Sequence, residues 1–261
     1  MKPPTLLIAS MLFVLAALAA AACGDDNGAS TNGTQPAAAP TQDGASSLPQ
    51  GDEPFELDPA DFVSEIDNPY FPMKPGNRWV YTETDADGTE LQVEVTVTNE
   101  TKNISGITAT VVRDIVTEDG NVIEDTFDWY AQDTDGNIWY LGEDTKEYED
   151  GVVVTTAGSW EHGVDGAQAG VLVPGDPVVD MTYRQEYYAG EAEDRGRILS
   201  LDEQVDVPFG SFDGCLQTED TTPLEPDVLE HKYYARGVGP VLAVDVAGGG
   251  REELITFEAA P

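Results

Sequence analysis

The residues that could carry out chemistry in this chain are its carboxylates, aromatic rings, histidines and cysteines. Asp133, Asp135 and Asn137 stand at alternate positions, so their oxygens could begin a calcium-binding loop, because calcium prefers hard oxygen ligands. A twelve-residue calcium loop requires glycine at its sixth position, where this chain has Ile138, and the flanking residues alternate as strands do. We therefore interpret this stretch as a hairpin turn and keep calcium as the weaker alternative. No other cofactor is indicated.

The histidines and the second cysteine offer no recognisable catalytic arrangement. His162 and His231 do not form a pair at metal-ligand spacing, and Glu230 would point to the strand face opposite His231. The neighbours of Cys215 are acidic, which raises the pKa of a thiol, so Cys215 is expected to be a small buried side chain. The sequence also lacks a nucleophile elbow, a phosphate-binding loop and a dinucleotide-binding glycine pattern. We therefore predict that the protein is not an enzyme, and a hydrolase assembled from distant residues is the weakest alternative.

Four aromatic doublets are the candidates for a ligand-binding surface. These residues are Trp129, Tyr130, Trp139, Tyr140, Tyr187, Tyr188, Tyr233 and Tyr234. In an alternating strand, each doublet places one ring inward and one ring outward. The inner rings would fill the core, and the outer rings would either pack under loops or form a stacking surface for a sugar or a peptide.

Alternation of apolar and polar residues predicts that strands position these side chains. From Trp79 onward the pattern has a period of two, as in the run from Leu91 to Val97. Asp-Gly pairs, which are typical of tight hairpin turns, occur at residues 87–88, 119–120, 135–136 and 150–151. The predicted strands lie near residues 78–84, 89–98, 107–117, 122–132, 137–142, 151–157, 181–189, 195–206, 213–221, 229–236, 240–246 and 251–258.

These elements predict a mainly β fold with one domain over residues 54–261. A single antiparallel, meander-rich sheet of this length must curl into a barrel or half-barrel, or fold into a sandwich, and the pattern leaves both open. One short N-terminal helix is predicted over residues 58–66, with Asp58 as its N-cap and Pro59 at its first position. Phe62 and Ile66 lie four residues apart and would face the body together.

The charge of the chain excludes several classes of partner. The sequence has 12 Lys+Arg against 50 Asp+Glu, which gives a formal net charge of −38. This charge argues against binding of DNA or RNA through phosphate neutralisation, and against docking of a protein face on anionic lipid. Hydrophobic residues make up 40% of the chain, which is enough for a packed core.

The N-terminal residues are typical of a signal peptide for export. Lys2 precedes an uncharged apolar run from Leu6 to Ala22, and small residues then lead to Cys23. The run ends without a basic stop-transfer flank, so we interpret residues 1–22 as a signal peptide rather than as an anchoring helix.

The sequence AAAC at residues 20–23 resembles the lipobox of bacterial lipoproteins, although the usual leucine three residues before the cysteine is alanine here. The resemblance implies that Cys23 carries a lipid, such as diacylglycerol with palmitate, which anchors the protein to the membrane. A plain secretory signal is the alternative. Residues 23–53 contain the lipidated cysteine and a flexible linker, because their Gly, Ala, Ser, Thr and Pro composition buries too little apolar surface to fold.

Three stretches of the body resemble a family of uncharacterised bacterial lipoproteins from actinobacteria-like lineages. They are residues 68–81 (NPYFPMKPGNRWVY), 207–215 (VPFGSFDGC) and 233–241 (YYARGVGPV). The resemblance extends over essentially the whole body and implies an exported, lipid-anchored, β-rich domain. It implies no activity and no catalytic residue.

We therefore expect a membrane-anchored, extracytoplasmic lipoprotein of the cell envelope that binds or scaffolds rather than catalyses. Its ligand could be a small molecule, a glycan or a protein. The alternative is a carrier whose curved sheet wraps a hydrophobic ligand such as an acyl chain, which a deep, dry apolar concavity would favour.

Overall fold

The computed structural model describes residues 48–85 and 88–261. The predicted signal peptide, Cys23 and most of the predicted linker lie outside the described residues. The strands are β1 (Arg78–Thr84), β2 (Glu90–Ile104), β3 (Ile107–Glu118), β4 (Asn121–Gln132), β5 (Ile138–Asp144), β6 (Glu147–Glu149), β7 (Val152–Thr155), β8 (Trp160–Glu161), β9 (Gln168–Val173), β10 (Thr182–Arg184), β11 (Glu186–Tyr187), β12 (Arg195–Val207), β13 (Gly210–Thr221), β14 (Glu230–Ala235), β15 (Gly239–Asp245) and β16 (Arg251–Glu258).

The strands form one antiparallel sheet that nearly closes into a barrel. Along the sheet the order is β10-β12-β13-β14-β15-β16-β1-β2-β3-β4-β5-β9-β11, and β6, β7 and β8 branch from β4 and β5. β10 and β11 lie at opposite ends of this order, although only Gln185 separates them in the chain. The chain at this point therefore connects the two edges of the sheet. This decides between the barrel and the sandwich in favour of the barrel.

Tight turns join neighbouring strands where the Asp-Gly pairs predict them. The φ angles are 50° and 81° at residues 119–120 and 51° and 76° at residues 150–151, as two-residue type I′ hairpins require. Gly136, in the turn between β4 and β5, has a φ of 85°. The hairpin prediction is confirmed at these three places. At the fourth, Gly88 also has a φ of 85°, and Asp87 lies outside the described residues.

The predicted helix over residues 58–66 is reduced to one 3-10 turn, Pro59–Asp61. Asp58 is the N-cap, as predicted, and its Oδ1 accepts a hydrogen bond from Ala60 N at 2.9 Å. The turn ends at Phe62 because this residue forms a β-bridge with Asp133, so pairing with the barrel replaces further helix. Within the described residues, no helix is long and apolar enough to cross a membrane.

One end of the barrel interior is apolar and closed by its own chain. Phe71 lies 5.5 Å from Trp79 and 6.5 Å from Tyr234 between ring centroids. Tyr70 and Met73, on either side of Phe71, are also buried. The segment that precedes β1 therefore plugs this end, which we call the plugged end.

Arg184 is buried at the seam of the barrel, which is the place where the two edge strands β10 and β11 meet. Its guanidinium donates hydrogen bonds to the carbonyl oxygens of Gly51 at 2.6 Å, Glu53 at 2.9 Å and Ala169 at 2.9 Å. Its backbone N donates to Pro49 O at 2.6 Å. The last residues of the predicted linker therefore lie against the barrel and bridge its two edges.

Candidate functional site

Acidic side chains are buried inside the barrel at the end opposite the plugged end. Glu83 lies near the end of β1, Glu252 near the start of β16 and Glu230 at the start of β14, which is one end of an antiparallel sheet. All are in phase with inward-facing residues such as Tyr81, because side chains alternate along each strand. We call the following buried residues the interior acidic cluster: Glu83, Asp114, Glu124, Asp128, Glu143, Glu186, Asp220, Glu230 and Glu252.

Several members of the cluster face each other directly across neighbouring strands. Glu83 pairs with Glu252 between β1 and β16, and both residues are 1% exposed. Asp128 pairs with Glu143 between β4 and β5. Like charges directly opposite each other destabilise an antiparallel sheet. Each pair therefore needs either a proton or a cation to be accommodated.

Lys232 on β14 is the one lysine buried in the described part of the chain. Its Nζ lies 3.0 Å from Asp220 Oδ2 and 3.5 Å from Glu230 Oε2, and these two acids are themselves cross-strand partners. Burial alone would lower the pKa of Lys232, but the carboxylates of Asp220 and Glu230 outweigh it and raise the pKa. Lys232 is therefore a fixed ammonium ion held by two carboxylates.

Burial shifts the protonation of the cluster into the neutral pH range. It raises the pKa of Glu83 to about 8, and the charges of Glu230 and Glu124 add to this effect. Burial likewise raises the pKa of Glu124, Asp128 and Glu230 to about 7. The pKa values of Asp114, Glu143, Glu186 and Glu252 are raised well above their ordinary range by burial first and by neighbouring acids second.

Aromatic rings and hydroxyl groups lie among the carboxyl groups. Tyr140 donates a hydrogen bond from its hydroxyl to Asp128 Oδ1 at 2.7 Å, and Trp160 donates from Nε1 to Glu186 Oε2 at 2.9 Å. Tyr130 stacks on Tyr140 with 4.9 Å between centroids, and Trp160 meets the Tyr140 ring edge-on at 5.3 Å. The cluster is therefore surrounded by π faces and polar groups rather than by aliphatic side chains alone.

Part of the cluster has no hydrogen-bond partner in the described chain. Both Oδ atoms of Asp114 are without a partner, and this residue is 2% exposed. The Oε2 atoms of Glu83, Glu143 and Glu252 are also buried without a hydrogen-bond partner. Unsatisfied buried carboxyl groups are costly, so they mark a place where the interior is not built for stability alone.

Asp133, Asp135 and Asn137, the weaker calcium candidates, lie in the turn that the sequence predicts. Asp133 Oδ1 accepts hydrogen bonds from the backbone N of Asp135 at 3.0 Å and of Asn137 at 2.9 Å. Asp133 Oδ2 accepts from Asn137 Nδ2 at 2.8 Å and from Trp139 Nε1 at 2.7 Å. Four N–H groups thus point at this carboxylate, which is the arrangement of a hairpin turn. Over residues 48–85 and 88–261, no three His, Cys, Asp or Glu side chains converge as a metal ion would require.

Two of the predicted aromatic doublets place their outer rings under other residues. Trp129 is covered by Lys102, whose Nζ lies 3.1 Å from the ring centroid. Trp139 packs against Phe55 from the segment before β1, at 5.3 Å between centroids. Both tryptophans are buried. Their inner neighbours, Tyr130 and Tyr140, are the rings that reach the interior acidic cluster.

The other two doublets, Tyr187–Tyr188 and Tyr233–Tyr234, lie at separate places in the barrel. Tyr187 and Tyr188 are half-buried near the seam, and Tyr233 is half-buried with its hydroxyl accepting a hydrogen bond from Gln217 Nε2 at 2.9 Å. Tyr234 is buried at the plugged end. The structure therefore does not bring the eight aromatic residues together into one surface, and a stacking role for Tyr187, Tyr188 and Tyr233 stays a prediction.

The histidine and the thiol closest to the core have structural partners. His162 Nδ1 accepts a hydrogen bond from Ala169 N at 3.0 Å, and burial lowers its pKa. Cys215 is fully buried, and burial raises the pKa of its thiol to about 11. Cys215 thus stays a neutral thiol, in agreement with its predicted role as a small buried side chain.

Neither a protein-family model nor a curated protein matches the sequence. Among solved structures, the chain is similar to a Bacteroides fragilis protein that is predicted to be exported and has a YmcC-like fold. The identity is 16%, the TM-score is 0.40, and the match covers 73% of this chain and 99% of the other. It is also similar to a predicted lipoprotein of Parabacteroides distasonis, with 13% identity, a TM-score of 0.36, and coverage of 72% and 98%.

Proposed function

We propose that the protein is a lipid-anchored binding protein of the cell envelope, whose ligand site is the interior acidic cluster. The signal peptide, the lipobox-like sequence before Cys23 and the resemblance to actinobacteria-like lipoproteins support the location. The resemblance covers the body, but it names no ligand. The site therefore has to be argued from the barrel interior.

The observation that carries the proposal is that acids face acids in a buried interior. Glu83 opposite Glu252 and Asp128 opposite Glu143 are pairs that stability alone does not favour, because like charges directly opposite each other destabilise a sheet. Natural sequences break local rules of this kind mainly where a site requires it. Perturbed titratable groups also concentrate at functional sites. The cluster is thus the best candidate for a binding site in the described chain.

The chemistry of Lys232 suits a ligand contact better than a role as a base or nucleophile. A lysine acts as a base or nucleophile when its pKa is lowered, whereas Asp220 and Glu230 raise the pKa of Lys232 and keep it charged. The cluster otherwise contains acids, aromatic rings and hydroxyl groups. These groups can recognise a ligand, and carboxyl groups whose pKa is raised to about 7 are also suited to exchange a proton with it.

A carrier of acyl chains is a weaker proposal. Such a ligand needs a continuous apolar wall, because hydrocarbon gains nothing from buried carboxyl groups. The apolar end of the interior is filled by Phe71 and its neighbours, and the opposite end is lined by acids. No observation in the described residues favours an acyl chain.

The lipid anchor is tested by labelling cells with an alkyne fatty acid. The wild type and the matched control Cys215→Ser should carry the label, and Cys23→Ser should not. The mature N-terminus should be residue 23. Equal labelling of all three proteins, or a different N-terminus, would contradict the anchor.

The site is tested by thermal shift against a panel of sugars, dipeptides, fatty acids and amines. At least one class should raise the melting temperature of the wild type. The rise should disappear in Asp114→Asn and persist in Asp125→Asn, a matched control on the neighbouring strand that changes an outward-facing carboxylate paired with Arg113. A panel without effect, or a shift unaffected by Asp114→Asn, would overturn the site.

A further inference from the structure

We propose that the ligand of the interior acidic cluster is a small organic ammonium ion, an inference that rests on the proposed function. The cluster contains carboxyl oxygens without a hydrogen-bond partner, and aromatic rings lie among its other members. This combination recognises an ammonium group by charge and by cation–π contact.

One ammonium group of the chain itself already lies in this interior. Lys232 carries its Nζ between Asp220 Oδ2 and Glu230 Oε2, at 3.0 and 3.5 Å, with the residue 8% exposed. The barrel therefore accommodates a desolvated ammonium group on a cross-strand pair of acids. A ligand would repeat this arrangement at another pair.

Other acids of the cluster have no base in contact with them. Within the described chain, Glu83, Asp114 and Glu252 form no ion pair with Lys or Arg within 4.0 Å, although Lys232 acts on Glu252 from farther away, and neither Oδ atom of Asp114 has a hydrogen-bond partner. Arg184, the other buried base, directs its guanidinium to backbone carbonyl groups at the seam. A bound cation would supply these acids with the partner that Lys232 supplies to Asp220.

The spacing of the acids favours an organic cation over a metal ion. Calcium and magnesium need several oxygen ligands around one point, and the acids of the described chain do not converge in that way. The cluster instead spreads over several strands among the rings of Tyr130, Tyr140 and Trp160. Dispersed carboxyl groups with aromatic faces suit an organic cation, in particular one with two separated ammonium groups.

The experiment is isothermal titration calorimetry on the full chain with 1,4-diaminobutane. Because the net charge of −38 attracts any cation to the surface, the titration is done in 0.5 M sodium chloride, which screens surface charges. Neutral 1,4-butanediol and calcium chloride are the matched probes. We expect saturable 1:1 binding of the diamine and little binding of the diol. The dissociation constant of the diamine should be at least tenfold larger for Asp114→Asn than for Asp125→Asn.

The outcomes separate this inference from the proposed function. Equal binding of the diol, tighter binding of calcium, or unchanged diamine binding by Asp114→Asn would overturn the ammonium ligand. A sugar or dipeptide that binds and is lost in Asp114→Asn would leave the binding site standing while the ammonium inference fails. If no compound binds, both fail. We expect Asp114→Asn to fold, because asparagine has the shape of the protonated acid. A cooperative melting transition of the variant checks this.

Discussion

Replacing Lys232 by methionine tests whether the interior acidic cluster is held in place by its buried base. Methionine keeps most of the volume of the side chain but removes the ammonium group. Asp220 and Glu230, whose carboxyl oxygens lie 3.0 and 3.5 Å from Lys232 Nζ, would then share the interior with no base. Removing one partner of a buried ion pair typically costs about 3–5 kcal/mol, because an uncompensated charge is left behind. We expect Lys232→Met to lose a similar amount of unfolding free energy at pH 8.

The loss should depend on pH, because the buried acids that Lys232 leaves without a base become neutral when they are protonated. Burial raises the pKa of Glu230 to about 7, and the positive charge of Lys232 holds this pKa below the value that burial alone would give. Without Lys232 the folded-state pKa of Glu230 rises further above the unfolded value. A group with a raised pKa in the folded state stabilises the fold while protonated and destabilises it as pH rises toward the folded pKa. The effect of Lys232→Met should therefore be smaller at pH 5 than at pH 8.

Urea unfolding at both pH values measures this difference. Lys146→Met is the matched control, because Lys146 Nζ lies 2.7 Å from Asp144 Oδ2 at the surface, where a pair contributes about 0–1 kcal/mol. The double variant Lys232→Met/Glu230→Gln should lose less than Lys232→Met at pH 8, since one of the two acids is neutral. The reasoning would be refuted if Lys232→Met lost no more than Lys146→Met, or lost the same amount at both pH values.

Three further predictions concern the cluster, a turn and the surface. The unfolding free energy of the wild type should fall as pH rises from about 5 to 8, because buried acids keep their protons in the folded state. Glu83→Gln should flatten this slope. Urea titrations in which the slope is the same for Glu83→Gln and the wild type would contradict this prediction. Gly136→Val should lose about 1–2 kcal/mol of unfolding free energy, because the backbone at Gly136 has a φ of 85°. Gly210→Ala should lose little, because the added methyl group meets open space. Equal losses in urea unfolding would argue against strain at the turn. Melting temperature should rise with sodium chloride as self-repulsion is screened. Calcium chloride at the same ionic strength should give no extra rise, and a calcium-specific gain would overturn the turn interpretation of Asp133.

Most strands could be predicted because alternation and turn residues are local signals. Residues 78–84 and 251–258 were predicted as strands and are β1 and β16. β9, residues Gln168–Val173, was not predicted because its residues from Ala169 to Val173 are buried on both faces, so alternation is lost. The predicted strand over residues 181–189 is in fact two strands on opposite edges of the sheet. Barrel closure depends on these distant pairings, which leave no local pattern.

The candidate site was largely missed for a different reason. Acids are so common in this chain that no pair of them stands out by spacing, whereas aromatic doublets do. A signal was nevertheless present: an acid in phase with apolar residues of an alternating strand, such as Glu83 after Tyr81 and Asp114 after Val112. Phase within one strand predicts that such an acid faces inward. It does not predict which acids of other strands face it, because that depends on register across the whole barrel.

The location of the few bases argues that the cluster is not a by-product of an acidic composition. An acidic chain can keep its carboxylates in water, where they need no partner. Here Arg78, Arg113 and Lys146 pair with acids on the outside of the barrel, although exposed pairs contribute little. Bases inside the barrel would give the buried acids partners, yet among the described residues Lys232 alone is buried beside the cluster. Glu83 and Asp114 have no base of the described chain in contact with them, so a proton or a cation from outside the chain must supply their partner, as a cation-binding interior requires.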